Sequence, residues 1–257
     1  MRLRMLAALT VATMMAAVAP VLTVTNGQPD GNLHPYVGLV IQFIDANTIA
    51  ICSGSALSPT RFLTAAHCAD PGQPVFVSYK SGPPFSLSKD FTLGTFVPDP
   101  NWCFGCAHGI PGFDSHDVAV VRLASAVNPG GFVTLPSAGL VDTMPMNSPI
   151  DVVGYGAQGF IRGGGKPQNV LLLTRFFAPS LLIQSNDVIS DEFIKLTANP
   201  AQGKGGICFG DSGGPDLIGG TNTAIAINTF LNNSNCAGVT YSQRIDLPDI
   251  LSFIHGV

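Results

Sequence analysis

The chain runs for most of its 257 residues without any useful length of helical apolar periodicity, which removes helical bundles and α/β folds from consideration. What it carries instead is a succession of short apolar runs, each cut by a turn signal. Residues 37–43, 49–57 and 61–64 read as strands, separated at Asp45-Ala46-Asn47 and Ser58-Pro59. Residues 75–79 and 91–97 continue the pattern, and 117–123 is a near-continuous apolar run suited to a buried strand. Asn128-Pro129-Gly130-Gly131 and Leu135-Pro136-Ser137 read as a connector, after which strands are predicted over 150–153, 170–177, 181–183 and 224–227. Only 247–255 has apolar residues at helical spacing, Leu247, Ile250, Leu251 and Ile254, behind Asp246. The 29 Gly and 20 Pro supply the turns. An all-β barrel or sandwich follows, as one large domain or two small ones.

Charged residues make up only 11% of the chain, so its surface is polar chiefly through Ser, Thr, Asn, Gln and Gly. Net charge is −4 and there is no basic run, which speaks against a nucleic-acid partner. The first residues look like a secretory signal: Arg2 and Arg4, an apolar run over 5–18, then small residues at Ala17-Val18-Ala19. A signal peptide over 1–19 implies a secreted protein with no membrane attachment once it is removed. An uncleaved anchor is the competing reading, because apolar residues continue to Val24, but the run is Ala-rich and barely long enough to span. Six cysteines fit three disulfides in that compartment. Cys103-Phe104-Gly105-Cys106, followed by His108 and His116, admits either a short-loop disulfide or a two-Cys, two-His zinc site, and the secreted context favours the disulfide. No acidic cluster suggests calcium, and no metal or cofactor is expected.

Three blocks carry chemistry. Gly210-Asp211-Ser212-Gly213-Gly214-Pro215 sets a serine in a glycine-rich turn able to hold its hydroxyl outward and its backbone N–H groups toward a common point. A serine hydroxyl is a weak nucleophile and needs a base held by a third group. Thr64-Ala65-Ala66-His67-Cys68 offers the base, and His116-Asp117-Val118-Ala119-Val120-Val121-Arg122-Leu123 offers the acid. These blocks, in the order His67, Asp117, Ser212, resemble those of the trypsin/chymotrypsin family of serine endopeptidases.

The resemblance covers nearly all of residues 24–257 and implies two six-stranded antiparallel β-barrels with a short C-terminal helix, the site lying between them. The first barrel, over 24–135, is expected to provide His67 and Asp117, and the second, over 136–257, Ser212. The resemblance pairs Cys52 with Cys68 and Cys208 with Cys236, and makes the N–H groups of Gly210 and Ser212 the oxyanion hole. It places Gly206, Phe230 and Gly238 at the primary specificity pocket. An uncharged Gly206 floor argues for apolar, small to medium side chains rather than Lys or Arg, with Phe230 narrowing the pocket. Asn228-Thr229-Phe230 stands where the family has Ser-Trp-Gly, so the support of Asp117 and the pocket shape depart from the family. Val24-Thr25-Asn26-Gly27 resembles the mature start of the family, which implies a propeptide over 20–23 and a Val24 amine paired with Asp211. Peptide or protein substrates, a monomer and a zymogen are expected. The alternative is a catalytically silent binding protein on the same fold.

Overall fold

The computed structural model describes Val24 and residues 27–106, 112–161, 168–184, 191–231 and 236–257. The segments expected to be signal and propeptide, Thr25, Asn26 and His108 lie outside these residues.

Short apolar runs become strands that close on themselves. Strand β1 (Gln28–Pro29) precedes six that form the first barrel: β2 (Val37–Phe43), β3 (Ile49–Ser58), β4 (Arg61–Thr64), β5 (Pro74–Ser78), β6 (Thr92–Pro98) and β7 (Ala119–Leu123). Their order around the barrel is β2-β3-β4-β7-β6-β5, all antiparallel, with β5 returning to β2. Leu39, Phe62, Val75, Phe96 and Val121 fill its interior. A short helix, α1 (Leu87–Asp90), leads into β6.

The second barrel is built from β8 (Pro149–Gly154), β11 (Phe176–Gln184), β12 (Phe193–Ala198), β13 (Pro215–Ile218), β14 (Ala224–Leu231) and β15 (Gly238–Arg244). Its order is β11-β12-β15-β14-β13-β8, closed by pairing of β8 with β11. A separate hairpin joins β9 (Gly159–Ile161) to β10 (Gln168–Val170). The expected breaks in the second half differ from those seen. Residues 171–175 are not strand, whereas 176–184 run unbroken, because Ser180 turns inward and donates to Thr197 O at 2.6 Å. Strands β12, β13 and β15 were not anticipated at all.

The two ends of the chain are exchanged between the barrels. Strand β1 pairs with β11 of the second barrel. The C-terminal helix α2 (Pro248–Gly256) buries Ile250 and Ile254 in the core of the first, and Arg61 of β4 donates to Ile254 O. Between the barrels lies a buried ionic knot. The Arg175 guanidinium bonds Asp30 at 2.7 Å, Val37 O at 3.0 Å and the Tyr155 hydroxyl at 3.2 Å. His34 completes it through Asp30, whose carboxyl these partners hold below the usual carboxylate range despite its burial.

Candidate active site

His67 sits in a single 3-10 turn, Ala66–Cys68, immediately after β4. A disulfide from Cys68 to Cys52 of β3 ties that turn to its barrel. Asp117 precedes β7, next in the sheet to β4, so strand pairing alone brings the two blocks together. The buried Asp117 carboxylate accepts twice from His67, from the backbone N–H at 2.9 Å and from Nδ1 at 2.7 Å. This clamp puts the proton on Nδ1 and leaves the Nε2 lone pair free. Burial of the imidazole lowers its pKa, but the Asp117 charge and hydrogen bond, with the charge of Asp114, more than offset this and leave it above its ordinary value. The residue before Asp117, His116, takes a left-handed backbone (φ 53°), with its ring within 3.7 Å of both Asp99 and Asp249 of α2.

The serine turn comes from the second barrel and docks on that histidine turn. Ser53 N donates to Ser212 O at 2.8 Å, and the Ser53 hydroxyl donates to Gly210 O at 2.9 Å. Gly213 packs so closely that a Cβ there would lie 2.2 Å from Thr64 Oγ1 and 2.6 Å from Ala65 N. Only glycine permits this approach, which sets Ser212 beside the His67 block. In a trans peptide the C=O and the following N–H point in opposite directions. Phe209 O accepts from Ala157 N at 2.7 Å, and Asp211 O accepts from Gly214 N at 2.9 Å and Asn228 Nδ2 at 3.2 Å. Both carbonyls are thereby turned into the protein, and the N–H groups of Gly210 and Ser212 face away from them. Neither N–H has an acceptor among the described residues.

Asp211 is fully buried, its carboxylate accepting from Gly156 N at 2.7 Å and Cys208 N at 2.8 Å. Burial outweighs these two bonds and pushes its pKa up to about 7. Gly156 must lack a side chain, since a Cβ would lie 2.4 Å from Asp211 Cγ. Val24 is buried in the second core. Asp216 is also buried, with no cationic partner among the described residues, and burial, worsened by the Asp211 charge, pushes it up to about 8.

Gly206 abuts Ala198 and Thr240, and Ala198 pairs with Gly238, so both glycines flank one strand position. Phe230 instead faces the histidine side of the cleft, its ring 3.8 Å from that of Phe113. A cleft of about 450 Å³ there is lined by His67, Asp114, Asp117, Phe104 and Phe230 among others. Cys103 and Cys106 are joined to each other, and Cys208 to Cys236. Asn228 directs its amide to Asp211 O and Val153 O, not to Asp117. Asp114, Ser53 and Gln243, whose Oε1 accepts from Asp117 N at 3.3 Å, belong to the site without having been anticipated. Asp114 alone carried a signal, a third acid in the loop that ends at Asp117. Three side chains, His67, Asp114 and Asp117, bring one potential ligand atom each within 4.8 Å, but both Asp117 oxygens are occupied by His67.

Comparison with known proteins agrees with this fold. A family model for trypsin matches residues 29–253. Among solved structures, the fold is similar to that of HL collagenase, with a TM-score of 0.69 at 19% identity over 91% of this chain and 99% of that one. It is also similar to human heparin binding protein (TM-score 0.65, 17% identity, 91% and 96% covered) and to a protein named GrC (TM-score 0.63, 15% identity, 90% and 97% covered).

Proposed function

This chain belongs to the trypsin family, and we propose that it is a secreted serine endopeptidase that works through an acyl-enzyme. The observation that carries the proposal is the docking of a serine turn, whose Gly210 and Ser212 N–H groups have no acceptor among the described residues, beside the turn that carries a histidine clamped by a buried aspartate. His67 Nε2 takes the Ser212 hydroxyl proton as Oγ attacks the scissile carbonyl carbon. Negative charge gathers on the carbonyl oxygen, where the Gly210 and Ser212 N–H groups receive it. The imidazolium then gives its proton to the departing amine, and water repeats the sequence to release the acid. Throughout, Asp117 holds the tautomer and offsets the imidazolium charge.

The uncharged floor at Gly206 supports cleavage after apolar, small to medium side chains. Three disulfides support an extracellular site of action, and no helix among the described residues is long and apolar enough to cross a membrane. The buried Asp211, which has no cationic partner among the described residues, supports activation by a new Val24 amine. The test is treatment with a fluorophosphonate followed by peptide mapping. An adduct on Ser212, lost in Ser212→Ala and strongly reduced in His67→Ala, is expected. A processed protein with no adduct and no peptidase activity would defeat the proposal in favour of the silent binding protein.

A further inference from the structure

The cleft beside His67 is walled by Phe104, Phe193 and Phe230 and holds two acids, Asp117, which is engaged by His67, and Asp114. Asp114 is 9% exposed, and its carboxylate accepts from Gly105 N at 2.8 Å and from Trp102 Nε1 at 3.2 Å. Neither donor carries a charge, and no lysine or arginine pairs with Asp114 among the described residues. A carboxylate has about four acceptor sites, so capacity remains. The Asp117 carboxylate lies in the same group within 4.8 Å, and among the described residues one imidazole stands against the two acids. Buried negative charge of this kind calls for a cation, and aromatic faces are where a cation is best received outside water.

We infer that Asp114 is a specificity-determining residue, selecting substrates that place a lysine or arginine side chain in this cleft, close to the scissile bond. The inference rests on the endopeptidase reading and adds to it a second selection, distinct from the uncharged pocket at Gly206. The aliphatic stem lies along Phe230 and Phe104, and the charged head reaches Asp114. Because His67 forms one wall, the side chain belongs to a residue near the bond cut, and correct seating of the cation also positions that bond. A carboxylate serving only to clasp the loop from Trp102 to Asp114 would show no dependence on substrate charge.

The experiment measures binding rather than turnover, so that its failure is separable from failure of the endopeptidase reading. The protein with Ser212→Ala is titrated, in the presence of a chelator, with fluorescein-labelled alanine-based octapeptides. Each carries one lysine, norleucine or glutamate at one of the four positions before the intended scissile bond. At one position lysine is expected to bind about tenfold tighter than norleucine, and Asp114→Asn to bring the two to parity. Asp114→Lys is expected to reverse the preference toward glutamate. Equal binding of lysine and norleucine at every position, or a lysine preference that survives Asp114→Asn, would overturn the inference. Turnover by the unsubstituted protein, measured separately, decides the endopeptidase reading alone.

Discussion

Asn228 shows how a single side chain can serve the site from behind. Its amide reaches Asp211 O, the carbonyl whose orientation sets the direction of the Ser212 N–H. It therefore acts as a positioning residue for the oxyanion hole and leaves Asp117 to be held by other groups. In Asn228→Ala the peptide loses one of its two anchors while the triad stays intact. We expect kcat to fall about tenfold with KM nearly unchanged, a smaller loss than removal of a donor itself. Affinity for a peptide boronate should fall by the same factor, and an unchanged boronate affinity would show that the amide is only structural. The three blocks assigned to catalysis in the proposal were legible in the sequence because such chemistry requires particular residues in contiguous turns. Asn228 was legible as a departure but not in its direction. That depends on which carbonyls the strand β14 faces, a property of pairing and not of residue type.

At the scale of elements, the second barrel departs from the usual apolar interior. Strand β15 buries Thr240, Ser242, Gln243 and Arg244, and β13 buries Asp216. Strand β15 alternates Val239 and Tyr241 with Thr240 and Ser242, but the polar set is the buried one, and β13 has only Leu217 and Ile218 after a buried acid, so neither presents the run of core-facing apolar residues by which the other strands were read. Strand β12 was missed for another reason, since Lys195 interrupts a short apolar run, although Ser190-Asp191 and Asn199-Pro200 mark its two ends. The first barrel has clean apolar strands, and its boundaries were read to within a residue or two. Buried acids also have a thermodynamic consequence. Asp216 and Asp211 titrate near about 8 and about 7, far above the ordinary 3.8. For a raised pKa, the stability contributed is fully present below the unfolded value, near pH 4, and is lost as pH rises through the folded value. Stability should therefore decline between pH 4 and 8, by several kcal/mol if both groups act. Asp216→Asn keeps the shape and removes the ionisation. Its unfolding midpoint in urea should exceed that of the unsubstituted protein at pH 8.5, with the gap closing toward pH 5. A gap of the same size at both values would mean that Asp216 does not titrate in this range.

On the scale of the whole molecule, the proposed activation ties the serine turn to the Val24 amine. Asp211 is held by two backbone N–H groups and has no cationic partner among the described residues, and Val24 is buried in the second core. Under that proposal a protein cut before Val24 would offer its α-amino group to the carboxylate, which an extended one could not. The form beginning at Val24 should be at least tenfold more active than one with a blocked extension, the gain appearing mainly in kcat. Asp211→Asn should remove the difference. Equal activity of the two forms would exclude this route of activation.

The exchanged ends of the chain also bear on how such a molecule is made. The first barrel closes through six strands that have all been synthesised by Leu123, yet its core still lacks Ile250 and Ile254. Those side chains emerge after all the strands of the second barrel. During synthesis the first half is thus a barrel with an open wall, completed only after the whole second barrel has followed it. The cleft between the barrels, with His67 and Asp117 on one side and Ser212 on the other, cannot be assembled on a partial chain. A fragment that ends before α2 would lack part of the first core, and one that ends before the serine turn would lack half of the proposed site as well.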